Sequence, residues 1–104
     1  MANFHNVALA SEIQPGNAKC VELEGRTIAI FNVDGEFFAI DDTCPHSGGP
    51  LSEGLIEGDE VECPWHGACF SIKTGGVLSP PAVEDVQCYK TRVQDGEVQV
   101  ALAE

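Results

Sequence analysis

Basic residues are scarce in this sequence. Only 5 of its 104 residues are Lys or Arg, against 17 Asp and Glu, so the formal net charge at pH 7 is −12. Binding to a nucleic-acid backbone depends on cationic side chains that replace its counterions, so we expect no nucleic-acid partner. Anionic membrane surfaces are excluded by the same argument from sign. A basic protein partner remains compatible with this charge.

Long apolar runs are also lacking. No run approaches the roughly 20 residues of a membrane-spanning helix, and no basic residue followed by an apolar segment opens the chain as in a secretory signal. The 5 cysteines are too sparse for a disulfide scaffold, and their number is odd. We therefore expect a cytoplasmic protein. Leu, Ile, Val and Phe still form about a quarter of the chain, enough for one domain over residues 1–104.

Short strands separated by turns dominate what is present. Asp-Gly pairs at 34–35 and 95–96 lie between β-branched stretches and predict two hairpins. In the last strand, Val98, Val100 and Leu102 are expected on the buried face, and Glu97, Gln99 and Ala101 on the wet face. The predicted strands are 3–9, 18–23, 26–33, 36–40, 60–62, 69–72, 89–93 and 97–102, with at most one helical turn at 10–13. We predict an all-β fold, a small antiparallel sandwich or barrel.

Residues 42–81 depart from this pattern, because they are rich in Gly, Pro and Ser. Roughly forty residues with little regular structure are unusual unless something else organises them. The stretch contains Cys44-Pro45-His46 and Cys63-Pro64-Trp65-His66, separated by sixteen residues. Two close pairs of Cys and His predict zinc, iron or an iron–sulfur cluster. A structural zinc site normally pairs Cys with Cys and His with His, whereas each pair here has one of each.

The spacing C-x-H-x16-C-x-x-H, with Pro after each Cys and Gly67 after the second His, resembles that of Rieske [2Fe-2S] ferredoxins. The resemblance implies the Rieske fold, with a two-loop cluster-binding subdomain at about 42–81 that holds one Rieske-type [2Fe-2S] cluster. Cysteines would bind the inner iron and histidines the outer one. The implied ligands are Cys44, His46, Cys63 and His66. No catalytic set accompanies them, which favours an electron carrier over an enzyme.

Within that family, the sequence is most similar to the ferredoxin components of bacterial aromatic-ring-hydroxylating dioxygenase systems, of the biphenyl, naphthalene and carbazole type. The resemblance implies a monomer that takes electrons from an NAD(P)H-dependent flavin reductase and passes them to a terminal Rieske non-haem iron oxygenase. Two alternatives stay open, which are the small Rieske-like subunit of an assimilatory nitrite reductase and a structural Cys2His2 zinc module. The acidic stretch Glu57, Asp59, Glu60 and Glu62 is either a solvated face or a docking surface.

The resemblance also bears on the reduction potential. High-potential respiratory relatives carry an extra disulfide at positions that match Gly49 and Trp65, so that bridge cannot form here. The same relatives place Ser and Tyr hydroxyls near the cluster, where this chain has Ala68 and Phe70. Hydrogen bonds to sulfur stabilise the reduced cluster, so their loss predicts a potential near the low end of the Rieske range, about −150 mV.

The remaining candidate residues have plainer interpretations. Cys20, Cys69 and Cys88 stand in apolar contexts and are expected to be buried thiols. His5 stands alone and is expected at the surface, whereas Trp65 lies between two implied ligands and is expected to shield the cluster from water.

Overall fold

The computed structural model describes residues 4–43, 49–64, 67–79 and 85–101. These residues contain ten short strands and two 3₁₀ turns. The strands are β1 Phe4–Leu9, β2 Ala18–Leu23, β3 Arg26–Val33, β4 Glu36–Asp41, β5 Leu55–Glu57, β6 Glu60–Glu62, β7 Cys69–Ser71, β8 Val77–Ser79, β9 Cys88–Gln94 and β10 Glu97–Ala101. The 3₁₀ turns cover Ala10–Glu12 and Leu51–Glu53. Among the described residues, none forms a helix long and apolar enough to cross a membrane.

The strands form two antiparallel sheets. The larger sheet has the order β1-β10-β9-β4-β3-β2, and its edge strands β1 and β2 approach each other, so that it nearly closes into a barrel. The smaller sheet has the order β5-β6-β7-β8. The predicted all-β class is confirmed, and the barrel is the form it takes.

Tight turns explain the register of the larger sheet. Both predicted hairpins are present, and the left-handed φ angles of Asp34 (54°) and Gly35 (93°) recur at Asp95 (54°) and Gly96 (78°). Two successive positive φ angles define the turn whose twist matches antiparallel strands. A third turn of the same kind, which the sequence analysis did not identify, joins β2 to β3 at residues 24–25.

Strand β3 is the centre of packing because both of its faces are buried. Ile28 and Ile30 point into the barrel, where they pack with Val98 and Val100. The intervening Ala29 and Phe31 point to the other side, toward the smaller sheet. Two apolar clusters therefore share one strand, and the second of them fastens the smaller sheet to the barrel.

Two expectations about this fold were wrong. Residues 42–81 were expected to have little regular structure beyond 60–62 and 69–72, yet β5 and β8 complete a four-stranded sheet there. Neither Leu55–Glu57 nor Val77–Ser79 alternates apolar with polar residues, so the period-two pattern that predicts a strand is missing there. Ala101 was expected on the wet face of β10 but is only 4% exposed. The larger cross-strand neighbours Phe4 and Lys90 stand beside this small side chain.

Candidate metal centre

The loop that contains the first Cys-x-His pair leaves the barrel directly after β4. Thr43 and Pro50 form an isolated antiparallel bridge across its base. Next to this bridge, the Leu51 N–H donates to the Asp42 carbonyl oxygen at 2.6 Å. The Ser52 N–H donates to Asp42 Oδ1 at 2.8 Å. These contacts hold the two ends of the loop together, so residues 44–48 connect points that lie side by side.

The second loop is closed in a similar way at the end of β6. The Cys63 N–H donates to the Ala68 carbonyl oxygen at 2.7 Å, and the Gly67 N–H donates to the Cys63 carbonyl oxygen at 3.1 Å. Gly67 has a φ of 79°, a left-handed conformation that favours glycine. The chain therefore leaves at Cys63 and returns at Ala68 to the same point of the smaller sheet.

A close backbone contact joins the bases of the two loops. Gly54, which follows the first loop, lies so near Glu62 that a Cβ added to it would stand 2.1 Å from the Glu62 carbonyl oxygen. Glu62 immediately precedes Cys63, so this contact brings the return path of one loop against the entry to the other. Leu51 packs in the same apolar cluster as Cys63 and strengthens the junction.

Of the four implied ligands, Cys63 is the one whose surroundings are described. It is 1% exposed and packs among Leu51, Val61, Ala68 and Phe70. A buried, soft sulfur donor at the base of a short loop suits a metal centre that needs shielding from water. Cys44, His46 and His66 lie outside the described residues, as does Trp65.

The two positions that lack hydroxyl groups lie at and just after the return of the second loop. Ala68 and Phe70 are both fully buried and belong to the same apolar cluster as Cys63. Neither side chain can donate a hydrogen bond. Gly49 is also buried, at the return of the first loop.

The other cysteines differ from expectation. Cys20 and Cys88 are exposed, not buried, and Cys69 is half-buried. Cys20 lies on β2. Partial burial raises the pKa of its thiol to about 11, and the nearby carboxylate of Asp42 adds to this rise. Cys88 donates to the Lys73 carbonyl oxygen at 3.3 Å, and partial burial also raises its pKa. His5 is partly exposed on β1 and lies 3.6 Å from Glu24.

The acidic stretch lies on the β5–β6 hairpin, on the two strands and the turn between them. Glu57 and Glu60 face each other across the two strands, and both are exposed, as is Glu62. Like charges placed directly opposite each other destabilise a strand pair. Asp59 is the member with a basic neighbour, since Lys73 Nζ lies 3.8 Å from its carboxylate. The side of the smaller sheet that leads into Cys63 is therefore strongly negative.

Two residues that support this centre were not identified from sequence. Asp42 ties the first loop to the barrel, and Gly54 allows the contact with Glu62. Asp42 lies two residues before Cys44 and Gly54 lies midway between the two Cys-Pro pairs, and neither motif indicates which of its neighbours is structural. Among the described residues, no three His, Cys, Asp or Glu side chains come together as a separate metal-binding group.

Two loops that each carry a Cys and a His define the class of protein, one of them leaving the barrel after β4 and the other leaving the smaller sheet after β6. The family model described as the Rieske [2Fe-2S] domain matches residues 3–90. The chain therefore belongs to the Rieske [2Fe-2S] domain family, whose members carry one Rieske-type cluster.

Particular relatives resemble the chain over nearly its whole length. The biphenyl dioxygenase ferredoxin subunit of Pseudomonas sp. strain KKS102 is 43% identical over 98 residues, which cover 93% of this chain and 90% of that protein. A chain in the complex of reduced oxygenase and oxidized ferredoxin of carbazole 1,9a-dioxygenase matches with a TM-score of 0.89 and 38% identity, covering 94% of this chain and 92% of its own. A protein assigned as the small subunit of an NADH-dependent nitrite reductase from Mycobacterium tuberculosis has a TM-score of 0.89 at 28% identity, covering 100% and 98%.

Proposed function

We propose that this chain is the ferredoxin component of an aromatic-ring dioxygenase system, a one-electron carrier and not a catalyst. The observation that carries the proposal is the end-to-end match to a dioxygenase ferredoxin subunit, in which both chains are covered by at least 90%. A chain in a ferredoxin–oxygenase complex has the same fold, which supports a terminal oxygenase as electron acceptor.

The four ligands we assign are Cys44, His46, Cys63 and His66, held within a subdomain of about residues 42–81. Two thiolates and two imidazoles fit a Rieske cluster, in which both cysteines bind one iron and both histidines bind the other. The described part of this donor set agrees in chemistry, because Cys63 is a buried thiol in apolar surroundings. When bound, the cluster supplies a site that accepts and releases one electron.

The residues of the chain contribute to that transfer by shielding and by shaping the potential. Ala68 and Phe70 pack in the same apolar cluster as Cys63 and offer no hydroxyl group that could donate to a sulfur. Fewer hydrogen bonds to sulfur mean a less stabilised reduced cluster, so we place the potential near −150 mV, roughly the low end of the Rieske range. Such a potential suits transfer from an NAD(P)H-dependent flavin reductase to an oxygenase, and we assign that reductase class as donor.

Electron paramagnetic resonance of the reduced protein tests the cluster assignment. We expect a red-brown protein whose reduced form gives an average g value below 2, and we expect His66→Ala to abolish that spectrum. A colourless protein that contains zinc would disprove the cluster. A His66→Ala variant with the unchanged spectrum would disprove the ligand assignment alone.

The nitrite reductase alternative retains support from one structure of the same fold and length. The two functions differ in assembly, because a carrier meets its partners briefly, whereas an enzyme subunit stays in a permanent complex. We propose that the protein is a cytoplasmic monomer. Purification under native conditions should yield a single small species, and co-purification with a large reductase subunit would favour the alternative.

A further inference from the structure

We propose that Asp42 is a positioning residue, whose carboxylate holds the first ligand loop in the geometry that the cluster requires. The inference rests on the proposed function, because it assumes that Cys44 and His46 in that loop are ligands. Asp42 directly follows β4, two residues before Cys44, and is only 4% exposed. It is one of two buried polar or charged side chains among the described residues.

Asp42 connects three segments through its backbone and its side chain. Its N–H donates to the Thr27 carbonyl oxygen of β3 at 3.0 Å, which fixes the residue to the barrel. Its carbonyl oxygen accepts the Leu51 N–H at 2.6 Å, and its Oδ1 accepts the Ser52 N–H at 2.8 Å. The departing end of the loop is therefore hydrogen-bonded to β3, and the returning end is hydrogen-bonded to Asp42. A hydrogen bond to a charged acceptor is about twice as strong as a neutral one.

The burial of this charge is not explained by an ion pair. Within residues 4–43, 49–64, 67–79 and 85–101, no Lys or Arg forms a salt bridge to Asp42. Its carboxylate accepts the Ser52 N–H instead. Burying a carboxylate costs free energy unless hydrogen bonds replace its hydration. An apolar residue would fill the site at lower cost, but it could not hold Ser52 in place.

The preceding residue provides a matched comparison. The Asp41 carboxylate accepts the Tyr89 hydroxyl at 2.6 Å and the Gln87 N–H at 3.1 Å, so it fastens the start of β9 and not the ligand loop. The two adjacent carboxylates thus hold different segments. Loss of either should weaken the fold, but only loss of Asp42 should disturb the ligands.

Three variants of the holoprotein separate positioning from general stability. We expect Asp42→Ala to shift the g values and to speed the thermal loss of the visible cluster absorption by about tenfold or more, the factor that a lost charge-assisted hydrogen bond implies. Asp42→Asn keeps an oxygen that can accept from Ser52, so it should retain the g values of the unmodified protein. Asp41→Ala should lower the melting temperature and leave the g values unchanged.

The outcomes distinguish failure of this inference from failure of the proposed function. If the unmodified protein gives no Rieske spectrum, the proposed function is wrong. If that spectrum is present and Asp42→Ala retains it unchanged, the positioning role alone is wrong. A g shift in Asp41→Ala equal to that in Asp42→Ala would also overturn it, because the effect would then be a general loosening of the fold.

Discussion

The contact between Gly54 and Glu62 yields a sharp test of how the two loops are joined. Gly54 has a φ of −80° and a ψ of 175°, an extended conformation that alanine adopts readily. Gly54→Ala therefore introduces a clash without backbone strain. Its Cβ would stand 2.1 Å from the Glu62 carbonyl oxygen, whereas real Cβ contacts stay beyond 3.0 Å, so one segment must move by at least 0.9 Å.

The obstacle in Gly54→Ala is backbone, which cannot rotate away. Glu62 pairs with Leu55 on one side and with Cys69 on the other, so its movement disturbs the centre of the smaller sheet. Overpacking of this kind costs about 1–3 kcal/mol, and a rigid obstacle places the expected cost near the upper end, at about 3 kcal/mol. For a domain of this size, the melting temperature should fall by more than about 10 °C.

Thermal unfolding of the purified holoprotein measures this cost, followed by circular dichroism for the fold and by visible absorption for the cluster. Gly76→Ala is the control, because the nearest atom to its Cβ is the Thr74 side-chain oxygen at 3.2 Å, which accepts the Gly76 N–H. Moving this side chain aside costs at most that one hydrogen bond, so we expect the control to lose no more than about 1 kcal/mol. A Gly54→Ala variant with the melting temperature of the control would show that Gly54 and Glu62 are not in close contact at the bases of the two loops.

Three further predictions concern potential, thiol reactivity and docking. Ala68→Ser should raise the reduction potential by about 20 to 65 mV, the equivalent of one hydrogen bond, whereas Ala39→Ser, buried in the other apolar cluster, should leave it unchanged in a redox titration. Because its pKa is raised to about 11, Cys20 should react with iodoacetamide at pH 8 about tenfold or more slowly than in the unfolded chain. Its ionisation should oppose folding as the pH rises from about 9 to about 11, and equal labelling rates would contradict the shift. Added salt should steeply reduce electron transfer from the reductase if the acidic face steers docking, and a flat response would leave that face merely solvated.

Much of the barrel could be predicted from local sequence. The Asp-Gly turns at 34–35 and 95–96 need no distant partner to adopt their conformation, and the alternation within β10 identified Val98 and Val100 as buried. The 3₁₀ turn at Ala10–Glu12 lies within the predicted helical turn at 10–13. Strands β5 and β8 were missed because Leu-Ile-Glu and Val-Leu-Ser do not alternate apolar with polar residues, and pairing with β6 and β7 decides their conformation.

The candidate ligands were readable from sequence because Cys and His are rare and their spacing is constrained by coordination chemistry. Burial of the other thiols was not readable, because Cys20 and Cys88 are apolar in context but face outward on strands whose orientation depends on the whole barrel.

The scarcity of basic residues, the all-β class, the family and the ligand pattern were thus determined by the sequence itself, because each depends on residue identity and short spacing. The tertiary structure alone decided that Asp42 joins both ends of the first loop to β3 and that Gly54 lies against Glu62. Those contacts link residues on separate strands and turns, and their geometry exists only once the barrel and the smaller sheet have packed around β3.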